Sequence, residues 1–241
     1  MKKYFVFSDV HGYFDILNKA LTDKGFDKDN PDHIIISCGD LLDRGRQPRE
    51  CLEFVMSIPE DRRILVMGNH DDLLWTLLAT RHAHVHDITN GTVDTVIDFV
   101  GRNVNNKEKY SLLDADLVDM KEDPLWKSYY NALVPYAEVG DRIFVHGWLP
   151  SLDYKDANLR DWRDAMWLNG MREWLEDYRL ADKTVFCGHW HTSWGHYFLH
   201  KIGSEWDDDA CFDVFEDKGI VALDACTAHS QKINVYTFET E

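Results

Sequence analysis

Hydrophobic runs that end in short clusters of Asp, Asn and His recur along this sequence, and they constrain its fold more than any other feature. In the first third of the chain, each such run is followed by a segment with helical periodicity. Strands and helices that alternate in this way form parallel βαβ units, in which the strand ends meet at one edge of the sheet. The pattern predicts strands at Lys3–Phe7, His33–Cys38 and Arg63–Met67 and helices at Phe14–Lys24, Pro48–Ile58 and Asp71–Thr80.

The polar clusters contain the side chains that bind divalent metals. Mixed carboxylate, amide and imidazole donors suit Mn, Fe, Co, Ni and Zn, whereas Ca²⁺ prefers shells made only of oxygen. Two such ions about 3.5–4 Å apart promote phosphate ester hydrolysis, because they neutralise the phosphoryl oxygens and turn a bound water into hydroxide. We therefore expect a two-metal hydrolytic site without cysteine ligands. The clusters are Asp9-Val10-His11, Gly39-Asp40 with Asp43-Arg44, Gly68-Asn69-His70-Asp71, His146-Gly147 and Gly188-His189-Trp190-His191.

Each cluster taken alone has a simpler interpretation. Asp40 could cap a helix that follows a strand, and Asn69 could be a turn residue, since Gly-Asn is common in turns. His189 and His191 could occupy a loop in which they bond to buried carbonyls. All five clusters would have to arise independently in this way, so the metal site is the better interpretation.

In sequence order, four of these motifs resemble those of the calcineurin-like metallophosphoesterases. The Asp-Arg-Gly ending of the second motif and the direct His-Gly of the fourth are typical of one branch, which holds phosphoprotein Ser/Thr phosphatases and symmetric diadenosine-tetraphosphate hydrolases. Weaker similarity at Asn90-Gly91-Thr92 with Thr95, and at Leu223-Asp224-Ala225-Cys226, extends the resemblance over nearly the whole chain. The four motifs are Ser8-Asp9-Val10-His11-Gly12, Gly39-Asp40-Leu41-Leu42-Asp43-Arg44-Gly45, Gly68-Asn69-His70-Asp71 and Val145-His146-Gly147.

The resemblance implies an α/β fold, the family's sandwich of two mixed β-sheets flanked by helices, and a ligand set for two divalent ions. Mn²⁺ is the expected metal, with Fe, Zn, Co or Ni as alternatives. One carboxylate, that of Asp40, would bridge the two ions. The first ion would be held by Asp9, His11, Asp40 and His191, and the second by Asp40, Asn69, His146 and His189.

The resemblance also implies catalytic roles. His70 would donate a proton to the leaving oxygen, because the pKa of an imidazole lies near the working pH, and Asp43 would orient its ring. Arg44 would bind the phosphoryl group through its planar fork of N–H donors, and Asn69 would lie beside the substrate. In-line attack by a metal-bridging hydroxide would need no covalent intermediate.

One departure from the family pattern concerns a second phosphate-binding Arg, which the protein phosphatases carry in a Trp-x-Arg stretch. The nearest match here is Trp167-Leu168-Asn169, so Asn stands where Arg is expected. Arg163 could replace that Arg from a neighbouring position and is therefore a predicted substrate-binding residue. Loss of one bidentate guanidinium contact would weaken phosphate binding by about 1.5–3 kcal/mol. This departure weighs against protein-phosphatase activity more than against phosphatase chemistry.

The remaining segments are predicted to complete one domain over residues 1–241. Residues from about 81 to 133 have a mostly helical pattern, and the equivalent region of the family forms a cap over the cleft, where the substrate would be selected. The second half of the chain is dominated by strand patterns. The predicted strands are Arg142–Val145, Thr184–Cys187, Tyr197–His200, Phe212–Phe215, Gly219–Leu223 and Ile233–Phe238, with one helix at Asp164–Tyr178.

Composition narrows the class of protein. With 241 residues and 44% hydrophobic content, the chain can bury the core of one sizeable domain. No apolar run approaches the roughly 18 residues of a membrane span, and the N-terminal apolar stretch is too short for a signal peptide. The five cysteines show no paired spacing, so we expect free thiols in a cytoplasmic protein without membrane contact. The formal charge of −17 argues against binding to duplex nucleic acid.

Three functions are consistent with the sequence. The first is a metal-dependent phosphomonoesterase resembling the Ser/Thr phosphatases, which would act on a phosphorylated protein or a small phosphorylated metabolite. The second is a symmetric bis(5'-nucleosyl)-tetraphosphate pyrophosphohydrolase, which would act on a nucleotide. The third is a non-catalytic scaffold, but scaffolds usually lose the proton donor, whereas His70, Asp43 and Arg44 are all present. The acidic charge disfavours large polyanionic substrates, so the sequence alone favours the phosphomonoesterase.

Overall fold

The computed structural model of the chain describes residues 1–102, 112–176, 180 and 182–240. Two five-stranded mixed sheets pack face to face, and helices cover both outer faces, which confirms the predicted α/β sandwich. The strands are β1 Lys2–Phe7, β2 His33–Ser37, β3 Arg63–Val66, β4 Leu133–Val134, β5 Ala137–Val139, β6 Arg142–Phe144, β7 Thr184–Cys187, β8 Phe215–Asp217, β9 Ile220–Ala222 and β10 Tyr236–Thr240. The helices are α1 Phe14–Asp23, α2 Pro48–Met56, α3 Asn69–Thr80, α4 Val85–Thr89, α5 Thr92–Phe99, α6 Asp114–Glu122, α7 Pro124–Ala132, α8 Leu159–Ala165, α9 Gly170–Leu175, α10 Thr192–Phe198 and α11 Thr227–Ser230.

The first sheet is built from the strand–helix alternation of the first third of the chain. Its order is β10-β1-β2-β3-β4, in which β1 to β4 are parallel and β10 is antiparallel to β1. Helix α1 connects β1 to β2, and α2 connects β2 to β3, as the βαβ pattern predicts. These connections leave the carboxyl ends of β1, β2 and β3 side by side at one edge of the sheet.

The second sheet has parallel strands in its centre and antiparallel strands at its edges. Its order is β5-β6-β7-β9-β8, with β6, β7 and β9 parallel. The two sheets share a core of apolar side chains, in which Val6 and Ile36 of the first sheet meet Phe144, Phe186 and Val221 of the second. This contact brings the carboxyl ends of both sets of parallel strands to the same side of the molecule.

The predicted helix Asp164–Tyr178 is wrong, because the chain forms α8 and α9 instead. Asn169 lies between the two helices, and its side-chain oxygen accepts a hydrogen bond from Arg172 N at 3.2 Å, which starts a new helix. Gly170 packs so closely that a Cβ there would lie 2.8 Å from the carbonyl oxygen of Gly147. The last two residues of the predicted range lie outside the described residues.

The predicted strand Tyr197–His200 is also wrong, since its first two residues end α10. On the buried face of α10, the His196 ring lies 5.6 Å from the Phe215 ring, so packing of a helix face overrides a short alternating pattern. The predicted strand Phe212–Phe215 overlaps β8 only at Phe215. Strand β10 begins three residues later than the predicted strand Ile233–Phe238.

The region predicted to form a helical cap contains α4 to α7 within its described residues. Leu117, Met120, Trp126 and Tyr129 from α6 and α7 are buried in the core on the outer face of the first sheet. No helix in the described ranges is both long enough and apolar enough to cross a membrane.

Candidate active site

The loops at the carboxyl ends of five parallel strands bring six of the seven predicted ligands together with His70. Except for His189, each of these side chains belongs to a residue that is no more than 3% exposed. Polar groups buried to this degree need compensating partners, so their clustering is chemically informative. Asp9 and His11 follow β1, Asp40 follows β2, Asn69 and His70 follow β3, His146 follows β6, and His189 follows β7.

The Asp40 carboxylate lies at the centre of the cluster. Its Oδ2 atom is 3.8 Å from His11 Nε2, 3.9 Å from His70 Nε2 and 3.3 Å from His146 Nε2. Two sets of donor atoms lie within 4.8 Å of one another, one made by His11, Asp40 and His70 and the other by Asp40, His146 and His189. Two overlapping sets that share one carboxylate could hold two cations, with Asp40 as a donor in both sets.

Two of these histidines are fixed in the orientation that a metal requires. His11 Nδ1 donates a hydrogen bond to the carbonyl oxygen of Leu42 at 2.9 Å, and His146 Nδ1 donates to that of Cys38 at 2.8 Å. A carbonyl oxygen only accepts hydrogen bonds, so each neutral ring carries its proton on Nδ1 and turns the Nε2 lone pair towards Asp40. The donor set therefore fits a divalent ion with nitrogen and oxygen ligands.

The charge of the cluster also favours a cation. Burial lowers the pKa of His146, but the carboxylates of Asp40 and Asp9 outweigh that effect and raise the pKa to about 10. The same negative charge attracts a divalent ion, which displaces the proton on binding. Burial, together with the nearby charge of His146, lowers the pKa of His189 to about 3, so this ring is neutral, as a ligand must be. Asn69 Oδ1 lies 2.8 Å from His146 Nε2 and adds an oxygen donor.

Backbone strain is concentrated in this part of the molecule. Ten non-glycine residues of the described chain have positive φ angles, and six of them are predicted site residues. A left-handed backbone costs about 1–2 kcal/mol for a residue with a Cβ, and it persists where the surrounding structure fixes it. The site therefore holds its side chains at the expense of local backbone energy. The six are Asp9, His11, Asp40, Asp43, Arg44 and His189.

Two motif glycines are required because their neighbours leave no room for a side chain. A Cβ on Gly68 would lie 2.0 Å from Asp40 Oδ1, and one on Gly188 would lie 2.2 Å from Asp9 Oδ2. Real Cβ atoms do not approach other atoms this closely, so any substitution would displace the carboxylates. Because they have no side chain, these two glycines allow the carboxylates of Asp9 and Asp40 to remain in place.

His70 is held by a buried carboxylate. Its Nδ1 donates to Asp43 Oδ2 at 2.7 Å, and its Nε2 lies 3.3 Å from Arg44 Nη2 and 3.9 Å from Asp40 Oδ2. Burial lowers the pKa of His70, but the charge of Asp40 and the bond to Asp43 outweigh it, and the net pKa is raised. A raised pKa keeps a proton available for transfer near neutral pH.

The Asp43 carboxylate is in turn fixed by two threonines of α5, to which the sequence analysis assigned no role. Thr92 Oγ1 donates to Asp43 Oδ2 at 2.7 Å, and Thr95 Oγ1 donates to Asp43 Oδ1 at 2.8 Å. Asp43 is fully buried, so both oxygens need these donors. The Asn-Gly-Thr stretch with Thr95 was the available signal, but it did not reveal that its hydroxyls support the Asp43–His70 pair.

The chain matches the family model of calcineurin-like phosphoesterases over residues 2–231. It belongs to the calcineurin-like phosphoesterase family. Symmetrical bis(5'-nucleosyl)-tetraphosphatases of Actinobacillus succinogenes and Psychromonas ingrahamii are 42% identical over 73 residues and 43% identical over 67 residues. These matches cover 30% and 28% of this chain but only 24% and 23% of the relatives' own length.

Solved structures support the family fold. A candidate diadenosine tetraphosphatase superposes with a TM-score of 0.55 at 14% identity, over 94% of this chain and 85% of that chain. A cold-active protein-tyrosine phosphatase of a psychrophilic Shewanella species superposes with a TM-score of 0.55 at 17% identity, over 100% of this chain and 76% of that chain. At these identities the likeness concerns the fold alone.

In this calcineurin-like phosphoesterase, His191 lies apart from both donor sets of the described residues. Its Nδ1 is 2.8 Å from Ser193 Oγ, its Nε2 is 3.3 Å from Glu205 Oε1, and its ring centroid is 4.1 Å from that of Trp206. Burial and the charge of His229 lower its pKa to about 4. The ring is therefore neutral, but Nε2 faces the Glu205 carboxylate.

Arg163 pairs with a carboxylate of α3, and Asn169 caps a helix. Arg163 Nε donates to Asp72 Oδ1 at 2.8 Å, and its Nη2 donates to the same oxygen. Asn169 caps α9. Asp72 lies one turn along α3 from Asn69, so the Asp72–Arg163 pair is one helical turn from a predicted ligand.

Two further residues lie beside Asp9, and the sequence predicted a role for neither. Thr227 Oγ1 donates to the Asp9 carbonyl oxygen at 2.7 Å. Burial and the nearby charge of Asp9 raise the pKa of Asp224 well above its usual range. Asp224 follows β9, in the segment that resembles the family. It lies close enough to Asp9 for the two charges to interact.

Proposed function

We propose that this protein is a metal-dependent hydrolase that cleaves bis(5'-nucleosyl) tetraphosphates symmetrically. The observation that carries the phosphohydrolase class is the buried Asp40 carboxylate within 4 Å of the Nε2 atoms of three histidines. Similarity to the two named tetraphosphatases supports the dinucleotide as substrate and outweighs the sequence preference for a phosphomonoesterase. A phosphorylated protein receives no such support.

Two divalent ions, Mn²⁺ being the expected one, would be held by Asp9, His11, Asp40, Asn69, His146 and His189, with His191 as a further candidate. When bound, they supply neutralisation of the phosphoryl oxygens and activation of water.

Arg44 binds the phosphoryl oxygens next to the cluster, where its Nη2 lies 3.3 Å from His70 Nε2. His70 donates a proton to the leaving oxygen through Nε2, while Asp43 holds the ring through Nδ1. This arrangement is open to a terminal or an internal phosphate, so the choice between monoester and dinucleotide depends on what binds the rest of the substrate.

The test compares diadenosine tetraphosphate with a phosphoserine peptide, using Mn²⁺-loaded protein and Asp40→Asn as the blank. We expect the dinucleotide to yield ADP as the sole nucleotide product, with one oxygen from H₂¹⁸O in one of the two ADP molecules. Release of ATP and AMP would contradict the symmetric mechanism. Hydrolysis of the peptide but not of the dinucleotide would mean that the protein is a phosphomonoesterase.

A further inference from the structure

A pocket with a volume of about 300 Å³ lies between the helices of the two halves of the sandwich. Its lining includes Trp75 of α3 and Tyr130 of α7 on one side and Trp162 of α8 on the other. Met67 lies at the end of β3, directly before Gly68 of the ligand motif, and also borders the pocket. None of these residues has a role in the chemistry described above.

The pocket extends away from the metal ligands along α3. Asn69 is the first residue of that helix, Asp72 is one turn further, and Trp75 is two turns further. At 1.5 Å per residue, Trp75 is about 9 Å along the helix axis from Asn69. A substrate whose phosphate is held at the cluster can therefore extend its next groups past Asp72 to Trp75.

The two ends of the pocket differ in chemistry. The end near the metal ligands carries the charged pair of Asp72 and Arg163. The far end carries Trp75 and Tyr130, whose rings stack with centroids 4.7 Å apart and an angle of 17° between their planes. Stacking fixes the Trp75 ring in one orientation, and the residue is only partly covered. Lys121 Nζ lies over the same ring, 5.7 Å from its centroid, so a base that packs on the ring displaces this ammonium group.

The charge of the molecule makes an apolar contact important for a polyphosphate substrate. The chain has a formal charge of −17, so long-range electrostatics oppose the approach of such a substrate. Two bound divalent ions cancel only part of this charge. Affinity for a dinucleotide must therefore come from the metals and from the groups that contact the nucleosides.

We propose that this pocket binds one nucleoside of the substrate, with its base against Trp75 and its ribose hydroxyls at Asp72 and Arg163. The inference rests on the proposed function and names the residues that would select a nucleotide over a simple phosphate ester. It also gives Arg163 a role in substrate binding, at the sugar rather than at the phosphate under attack.

Trp75→Ala and Trp75→Phe test the inference with three measurements on the Mn²⁺-loaded protein. These are KM for diadenosine tetraphosphate, turnover of p-nitrophenyl phosphate, and inhibition of that turnover by ADP and by pyrophosphate. Loss of one stacking contact is expected to raise KM and the ADP inhibition constant roughly 5- to 100-fold. Turnover of p-nitrophenyl phosphate and inhibition by pyrophosphate should stay within about twofold, and Trp75→Phe should recover most of the loss. Phe198→Ala, an exposed aromatic residue outside the pocket, is the matched control.

The outcomes separate the two proposals. If the wild type turns over p-nitrophenyl phosphate but not the dinucleotide, the proposed substrate is wrong, and the ADP inhibition constant still tests the pocket. If Trp75→Ala leaves both KM and ADP inhibition unchanged, the pocket does not bind the nucleoside. If Trp75→Ala shows no cooperative thermal unfolding, Asp72→Asn is the second variant. It should also raise the inhibition constant for ADP and leave the inhibition constant for pyrophosphate unchanged.

Discussion

The loops of the two sheets build their parts of the site in different ways. After β1, β2 and β3, every predicted ligand lies within four residues of a parallel strand and is almost fully buried. After β7, His189 joins the cluster but His191 faces Glu205, although the two are only two residues apart. His11 and His191 both lie four residues beyond a strand, so distance from the strand does not explain the difference. The partner of the ring does: His11 is held by the carbonyl oxygen of Leu42, whereas His191 faces a carboxylate. The loops after β1, β2 and β3 thus form what we call the rigid half of the site, and the loop after β7 adds one predicted ligand to it rather than two.

The largest effect is expected at Asp40, which both halves share. Asp40→Asn removes the negative charge that lies within 4 Å of three histidine rings. We expect turnover to fall by at least about 1000-fold, or ~4 kcal/mol, and metal content to drop below two ions per chain. Metal analysis after gel filtration and the dinucleotide assay measure both effects. Asp29→Asn on the exposed surface is the control, and two retained ions with normal turnover would refute the bridging role.

His70 belongs to the rigid half but is assigned to proton transfer rather than to metal binding. His70→Asn should lower turnover of an alkyl phosphate roughly 10²- to 10⁴-fold. The loss should be much smaller for p-nitrophenyl phosphate, because its leaving oxygen needs no proton. Equal losses on both esters, or a lower metal content, would instead make His70 a metal ligand, which its 3.9 Å distance from Asp40 Oδ2 also permits.

A paired substitution tests the loop after β7. His189→Ala should remove a ligand of the second ion and lower turnover by more than about 100-fold, with loss of metal. His191→Ala should have the smaller effect, between about 10- and 100-fold, as expected for a residue that only orients the site. Metal affinity measured by titration calorimetry distinguishes the two. Equal loss of metal in both variants would restore the family ligand set and imply that the His191 ring turns from Glu205 when metal binds.

The same contrast explains how much the sequence could predict. The clustering of the predicted ligands after β1, β2, β3 and β6 could be predicted because a parallel strand, a glycine and a polar residue define their positions locally. The helix at Asp164–Tyr178 was wrong because Asn169 and the close packing of Gly170 on Gly147 depend on distant parts of the chain. The positive φ angles of Asp9, Asp40 and His189 have no sequence signature of their own. They follow from the two sheets meeting at the cluster.

The supporting hydroxyls of Thr92 and Thr95 illustrate the same limit, since they reach Asp43 from more than forty residues away in sequence. The smallest predicted effect concerns one of them. Thr92→Val keeps the shape of the side chain but removes the donor to Asp43 Oδ2, the oxygen that also accepts from His70. We expect turnover of an alkyl phosphate to fall about tenfold and stability to fall by ~1–3 kcal/mol, with metal content unchanged.

This prediction is tested by measuring turnover and thermal unfolding of Thr92→Val and of the exposed control Thr22→Val. A destabilised Thr92→Val protein with full turnover would mean that Thr95 alone is sufficient to orient Asp43. The support of His70 would then rest on a single hydroxyl, and the rigid half of the site would tolerate more change than its buried contacts suggest. A tenfold loss on the alkyl ester, without a similar loss on p-nitrophenyl phosphate, would instead show that α5 acts on catalysis through the His70 proton.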